Sequence, residues 1–370
     1  MIGIHGIVFA YQKRNNLQEL VSMRASASVP FGGRYRAIDF AISNLVNAGA
    51  KDVGVLVQER YQSLLDHIGT GKDFDLSKKR GGLRILPPFS IRDGHGSDTF
   101  RGKMEALCGV RSYIADIRQE YVVMMDGDLV TNLPLRQIVD NHIKSDADIT
   151  VVCGNDSFYV DSGTYFQTDE TGRVNDVLYN IHTPRGRRGL EVYILSKKLL
   201  LEIVDDCLSH DKYSLRRDVL QAKKDELVIK TYVWNGFAAQ VRSVKEYFER
   251  SMQLLNPAIR KELFCEERPI RAKSADKSSA YLAPGGSIHN SLIADGCSVA
   301  GTVENSILFP GVVVEKGAVV RNSVLFKETY VGERSETAFV IADKRVSLSA
   351  GSTIIGSASY PIAIAKESKI

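Results

Sequence analysis

The sequence predicts an α/β chain in which a doubly wound, mostly parallel sheet is followed by a parallel β-helix. Three observations predict it. Short apolar runs alternate with helix-like segments up to about Met252. Aliphatic residues recur at every sixth position after Gly285. The stretch between them is polar and has little periodicity. A chain of 370 residues is long enough for both parts to bury their own cores. The expected bounds are 1–255 for the sheet domain, 256–284 for a linker and 285–370 for the β-helix.

The strands come first. Ile4–Phe9, Val53–Val57, Tyr121–Met125 and Ile149–Val152 are short apolar runs, each bounded by Gly, Asp or Asn. Between them, Phe40–Ala48 and Met104–Ile114 carry apolar residues at helical spacing. Strands alternating with helices build a doubly wound sheet, and such sheets bind ligands beyond the carboxyl ends of their strands. Lys245–Leu255 is one more amphipathic helix, and the polar run from Asn256 follows it. In the last part Ile307, Val313, Val319, Leu325 and Val331 step by six, and Leu308, Val314, Val320 and Phe326 repeat the step. Asn-Ser recurs at Asn290, Asn305 and Asn322, while Gly311 and Gly317 mark turns. An antiparallel sheet would show period two without this sixfold step.

Composition removes several function classes. The net charge is +4, and no basic run or basic–aromatic array suggests a nucleic acid partner. No apolar run reaches the roughly 18 residues that a membrane span needs, and the N-terminus lacks a secretory apolar region. Cys108, Cys153, Cys207, Cys265 and Cys297 are far apart, odd in number and without a CxxC pair. Reduced thiols in a cytoplasmic protein are the expectation. The basic clusters Lys78-Lys79-Arg80 and Arg185-Gly186-Arg187-Arg188 are expected as solvated loops.

Two neighbouring stretches near the N-terminus disagree. Val29 to Asp39 reads VPFGGRYRAID, a dense motif containing Gly32 and Gly33. The loop after the first strand reads Tyr11-Gln12-Lys13-Arg14-Asn15-Asn16. A loop that cradles a nucleoside triphosphate needs glycines, so that backbone N–H groups reach the phosphates. Here the grip is replaced by bulky side chains, and Tyr11 and Gln12 are expected to fill the emptied space. Lys13 and Arg14 offer positive charge for an anionic effector.

Across essentially the whole chain the sequence resembles the bacterial ADP-glucose pyrophosphorylase family, in which a nucleotidyltransferase domain precedes a left-handed β-helix. The most specific piece is VPFGGRYRAIDFAISNLVNAG, Val29 to Gly49, supported by Asp126-Gly127-Asp128 at a strand end and by the helix EYFERSMQLL. The resemblance implies transfer of the adenylyl group of ATP to glucose 1-phosphate, with release of pyrophosphate and with Mg²⁺ held by two aspartates. In-line attack between two anions needs cations and metal to neutralise developing charge.

Carried over position by position, the family pattern is depleted. Its paired loop glycines fall on Tyr11 and Gln12 and its loop arginine on Asn16. Its lysine falls on Ser26. Its Gly-Thr-Ala-Asp-Ala-Val segment becomes Gly102 to Leu107, which keeps the glycine and puts Glu105 in the first turn. The first metal aspartate survives as Asp128, and the second becomes Gln240. Contributions of this kind are worth roughly 3 to 4 kcal/mol apiece in other enzymes. Three such losses correspond to a rate deficit on the order of 10⁶ or more. The resemblance therefore extends to the family's non-catalytic D-type subunit. It implies a catalytic homologous partner, a heterotetramer, homo-oligomers when the chain is alone, and sensitivity to a phosphorylated effector. A working sugar-phosphate nucleotidyltransferase with an altered site is the alternative. A hexapeptide acyltransferase would need His289 as a base, and one histidine on a short repeat block is better explained as structural.

Overall fold

The computed structural model describes residues 3–11, 16–78, 81–88, 100–154, 163–179, 185–273 and 278–370. The chain forms two compact units that interleave along the sequence. The first comprises Met1–Lys13, Ile38–Ala238 and Glu266–Arg271, and the second Arg14–Ala37, Ala239–Cys265 and Ala272–Ile370.

The first unit is built on a nine-stranded sheet. Its strands are β1 (Ile4–Phe9), β2 (Asp52–Leu56), β3 (Gly82–Leu86), β4 (Tyr121–Asp126), β5 (Ile149–Gly154), β6 (Thr164–Thr168), β7 (Val174–Tyr179), β8 (Arg187–Ser196) and β9 (Ile229–Trp234). One side is parallel, in the order β3-β2-β1-β4. The chain steps outward from β1 to β3, then returns to β4 on the other flank of β1. That reversal opens a crevice at the carboxyl ends of β1 and β4, where Phe9 stands beside Asp126. The long strand β8 runs antiparallel to β4, β5 and β6, and β9 rejoins β5 in parallel. The apolar runs read from the sequence are buried along their whole length in β1 and β5.

Helices α1 (Ala37–Asn47), α2 (Gln62–Ile68), α3 (Lys103–Gly109), α4 (Arg111–Ala115), α5 (Leu135–Lys144) and α6 (Lys197–Ser209) accompany the sheet. The expected helix Met104–Ile114 is two helices, because Val110 leaves helical geometry at φ −117°, ψ 26°. Asp39 in the first turn of α1 is fully buried and meets His67 of α2 at 2.5 Å. The segment Arg187–Arg188, expected as solvated loop, opens β8, and Arg188 is buried there.

The second unit contains the left-handed β-helix, made of three five-stranded parallel sheets. Its inward positions include Leu308, Val314 and Val320 of one expected series, but the core then passes to Leu325 and Val331 of the other, and Phe326 packs outside it on Phe309 and Tyr247. The partner series is mixed: Val313 and Val319 are half-buried, because neighbouring strand residues face opposite sides. A strict sixfold step, taken three times per coil, would set Val319 beside Thr337 and Ser287 beside Asn305. Their partners are instead Glu336 and Thr302, so these coils are shorter than the step implies, whereas the last coil, which sets Val340 beside Ile362, is longer. Asn290, Asn305 and Asn322 occupy corners at φ 41°, 47° and 44°, a conformation that asparagine tolerates better than most residues. The following serines form a ladder: Ser291 Oγ accepts from Ser306 N, Ser306 Oγ from Ser323 N, and Ser323 Oγ from Val340 N.

Two further helices belong to this unit, α7 (Val244–Gln253) and α8 (Pro257–Leu263). The expected linker thus begins with a helix. Its start is local chemistry: Asn256 accepts a hydrogen bond from Ala258 N, and Pro257 takes the first helical position. Tyr247 of α7 packs edge-on against Phe326, and its hydroxyl donates to Pro30 O at 2.7 Å.

Candidate functional site

The crevice at the carboxyl ends of β1 and β4 holds a buried ionic network. Lys103, the first residue of α3, places its Nζ 2.6 Å from Asp126 Oδ1 and 2.7 Å from Glu191 Oε2. Arg216 reaches Glu191 Oε1 at 3.1 Å from a π-helical turn, Leu215–Gln221. Thr164 also donates to Oε1, at 3.1 Å, and the Tyr193 hydroxyl to Oε2, at 2.9 Å. The Lys103 ammonium lies 5.1 Å from the Phe9 ring centre and 5.4 Å from that of Tyr193. Two cations meet two carboxylates, which is the condition for keeping charges out of water. Burial, reinforced by Glu191, pushes the Tyr193 hydroxyl well above its ordinary pKa, so it stays a donor.

Local structure explains the placement. Asp126 ends β4 and is fully buried. Gly102 lets α3 start hard against the Tyr213 carbonyl: a Cβ there would lie 2.4 Å from that oxygen, and Met104 N donates to it at 3.0 Å. Glu105 accepts from the backbone N of Arg101 at 2.5 Å and from its Nε at 2.9 Å. Tyr11 packs its ring on Phe9 and Phe100, with centroids 6.2 and 5.6 Å away. Its hydroxyl is buried, and burial together with Asp126 and Glu105 drives its pKa far upward.

Other predicted residues fall elsewhere. Gln12, Lys13 and Arg14 lie outside the described residues. Asn16, Ser26, Gly32, Gly33 and Gln240 belong to the second unit, whereas Tyr11, Gly102, Glu105 and Asp128 belong to the first. Asn16 is exposed and bridges to Ser243, with its N–H donating to Arg242 O at 2.7 Å. Ser26 is buried in a short 3₁₀ turn. Gly32 and Gly33, at φ 64° and 83°, make the turn between Pro30–Phe31 and Tyr35–Arg36. Asp128 is buried in the turn after β4, beside Gly127, whose N–H donates to Phe9 O. His289 is exposed on the first coil of the β-helix.

Of the two positions at which the resemblance implies Mg²⁺ ligands, Asp128 keeps a carboxylate, whereas Gln240 offers a neutral amide where a hard carboxylate is wanted. Among the described residues no three His, Cys, Asp or Glu side chains come together as a metal site.

Lys103, Glu191, Tyr193 and Arg216 were missed as a group. One signal was present: Glu191 is a lone acid in the apolar run GLEVYIL, and a charge inside a buried strand needs a partner.

The second unit carries a different charge arrangement. Arg24 is buried and sets Nη2 2.7 and 2.8 Å from the two oxygens of buried Asp343. Next to it, burial and the charges of Arg36, Arg24 and Lys327 lower the Lys344 pKa to about 7, with Asp343 opposing. Lys327 is paired with Glu328 at 3.2 Å. Among the described residues no helix is long and apolar enough to cross a membrane.

Comparison with known proteins agrees with both architectures. Residues 14–176 match the nucleotidyl transferase family, and residues 274–359 the GlmU-like C-terminal hexapeptide family. The chain is 30% identical to the glycogen biosynthesis protein GlgD of Bacillus subtilis (strain 168), over 98% of this chain and 95% of that protein. It is 33% identical to the GlgD protein of Geobacillus stearothermophilus, over 85% of this chain and 82% of the relative. Glucose-1-phosphate adenylyltransferase of Thermotoga maritima is 31% identical over 85% of this chain and 75% of its own length. With similarity running through both architectures from end to end, the chain belongs to the family of glucose-1-phosphate adenylyltransferases and GlgD proteins.

Proposed function

We propose that this chain is a regulatory, catalytically impaired subunit of glucose-1-phosphate adenylyltransferase that serves glycogen biosynthesis by modulating a catalytic homologue. The observation that carries the reading is the fate of the crevice cations. Lys103 and Arg216 are bound to the chain's own carboxylates, so their charge is offset before a phosphate arrives. Asn16, Ser26 and Gln240 stand where the family places two cations and a metal ligand. The printed names of the two GlgD relatives support the glycogen role.

The partner is a catalytic homologous subunit in a heterotetramer, and a homo-oligomer forms when the chain is alone. A phosphorylated effector would find charge at Lys13 and Arg14. Co-purification with the catalytic homologue, followed by rate measurements, tests the reading. Negligible ADP-glucose synthesis alone and a changed maximal rate or substrate affinity of the mixture are expected. Asp128→Asn in this chain should leave that change intact. A mixture that behaves as the partner alone across a concentration series sinks the proposal.

A second reading, an active sugar-phosphate nucleotidyltransferase with an altered site, draws on the retained and fully buried Asp128 at the sheet's carboxyl edge. Pyrophosphate release over a panel of nucleoside triphosphates and sugar phosphates separates the two. Brisk turnover by the pure chain, abolished by Asp128→Asn, would select the second.

A further inference from the structure

Glu191 stands out in the crevice for its backbone as well as its contacts. It sits inside β8 at φ 58°, in the left-handed region that a long side chain rarely adopts. The pairing of β8 with β5 shifts register between Gly189 and Val192, so the strand bulges at this residue. The bulge re-aims the side chain, and the strained backbone is retained for what that side chain does there. The carboxylate is 1% exposed and receives contacts from Lys103, Arg216, Tyr193 and Thr164. An ammonium, a guanidinium and two hydroxyls converging on two oxygens make up a receptor for a small oxyanion. Lys103 and Arg216 are 16% and 28% exposed, so the receptor has an open side.

We propose that the crevice contains a latent oxyanion site of the phosphate class, occupied by the Glu191 carboxylate as a resident anion. The chain's own glutamate takes the place of a ligand's phosphoryl group. Neutralisation is thereby permanent, and the pocket keeps its shape without ligand. Withdrawal of Glu191 leaves Lys103, Arg216, Tyr193 and Thr164 facing the vacated space. The inference rests on reading this crevice as a ligand-free remnant. It concerns binding by the isolated chain, so its failure and that of the subunit role are separable.

Glu191→Gly tests it, because glycine vacates the position and also accepts its left-handed backbone without strain. The probe is inorganic phosphate, compared with chloride at equal ionic strength. By calorimetry the variant should bind phosphate at least tenfold more tightly than the unaltered chain, and phosphate should raise its melting temperature in a dose-dependent way. Glu191→Gln keeps the space filled and should gain no such binding. Adding Arg216→Ala to Glu191→Gly should remove the gain. A folded Glu191→Gly variant that binds phosphate no better than the unaltered chain overturns the proposal. So does a variant that stays unfolded with phosphate as well as without it. Folding only in phosphate supports it.

Discussion

The crevice of the first unit and the basic cluster of the second solve opposite problems with the same residue types. In the crevice, Lys103 and Arg216 face Asp126 and Glu191, and the charges balance. In the cluster, Arg24 holds buried Asp343, and the charges of Arg36 and Arg24 act on neighbouring Lys344. Balanced burial gives a pocket that is complete by itself. Burial and the crowding of like charges instead lower the Lys344 pKa to about 7.

Breaking the buried pair of the second unit should have the largest effect. Arg24→Met leaves Asp343 buried without its guanidinium and should cost about 3 to 5 kcal/mol by denaturant unfolding. Lys103→Met removes the ammonium from Asp126 and leaves Glu191 with Arg216 as its cation in the first unit. The partial exposure of Lys103 lets water help, so a cost of about 2 to 3 kcal/mol is expected. An equal or larger loss for Lys103→Met would reverse the ranking of the two sites.

The pH dependence sharpens the contrast. Lys344 has a folded pKa of about 7, below its ordinary 10.5. Between those values the unfolded chain holds a proton that the folded chain has released, so this group's contribution to stability rises from pH 7 toward pH 10. Melting curves of the unaltered chain and Lys344→Met should therefore converge as pH rises through that window. A difference independent of pH would show that Lys344 is not crowded by its cationic neighbours. The smallest effect should come from the exposed ladder Glu304–Arg321–Glu336, where Arg321 reaches both carboxylates at 3.0 Å. Arg321→Ala should change unfolding free energy by less than about 1 kcal/mol, which makes it a control for the buried sites.

Much of this was legible in the order of residues. The buried strands β1 and β5 are continuous apolar runs, and the β-helix announces itself through the six-residue steps among Leu308, Val314 and Val320. The recurring Asn-Ser pairs were visible as a repeat, but their role was not. Only the coil geometry shows the asparagines at left-handed corners and the serines joined as a ladder. The site was less legible than the fold. Positions such as Asn16, Ser26 and Gln240 report what is missing, since each stands alone in sequence. Lys103, Asp126, Glu191 and Arg216 report what replaced it, and they come from four separate elements.

The sequence by itself determined the two architectures and the depletion of family cations, because periodicity and residue identity are local properties. The tertiary structure alone decided that Arg14–Ala37 and Ala239–Cys265 belong with the β-helix segment as one compact unit, although they flank the sheet domain in sequence. It also decided that Glu191 turns inward at a bulge to meet Lys103, far away along the chain. The physical reason is that neutralising a buried charge depends on distances between side chains, and those exist only once the strands have found their register.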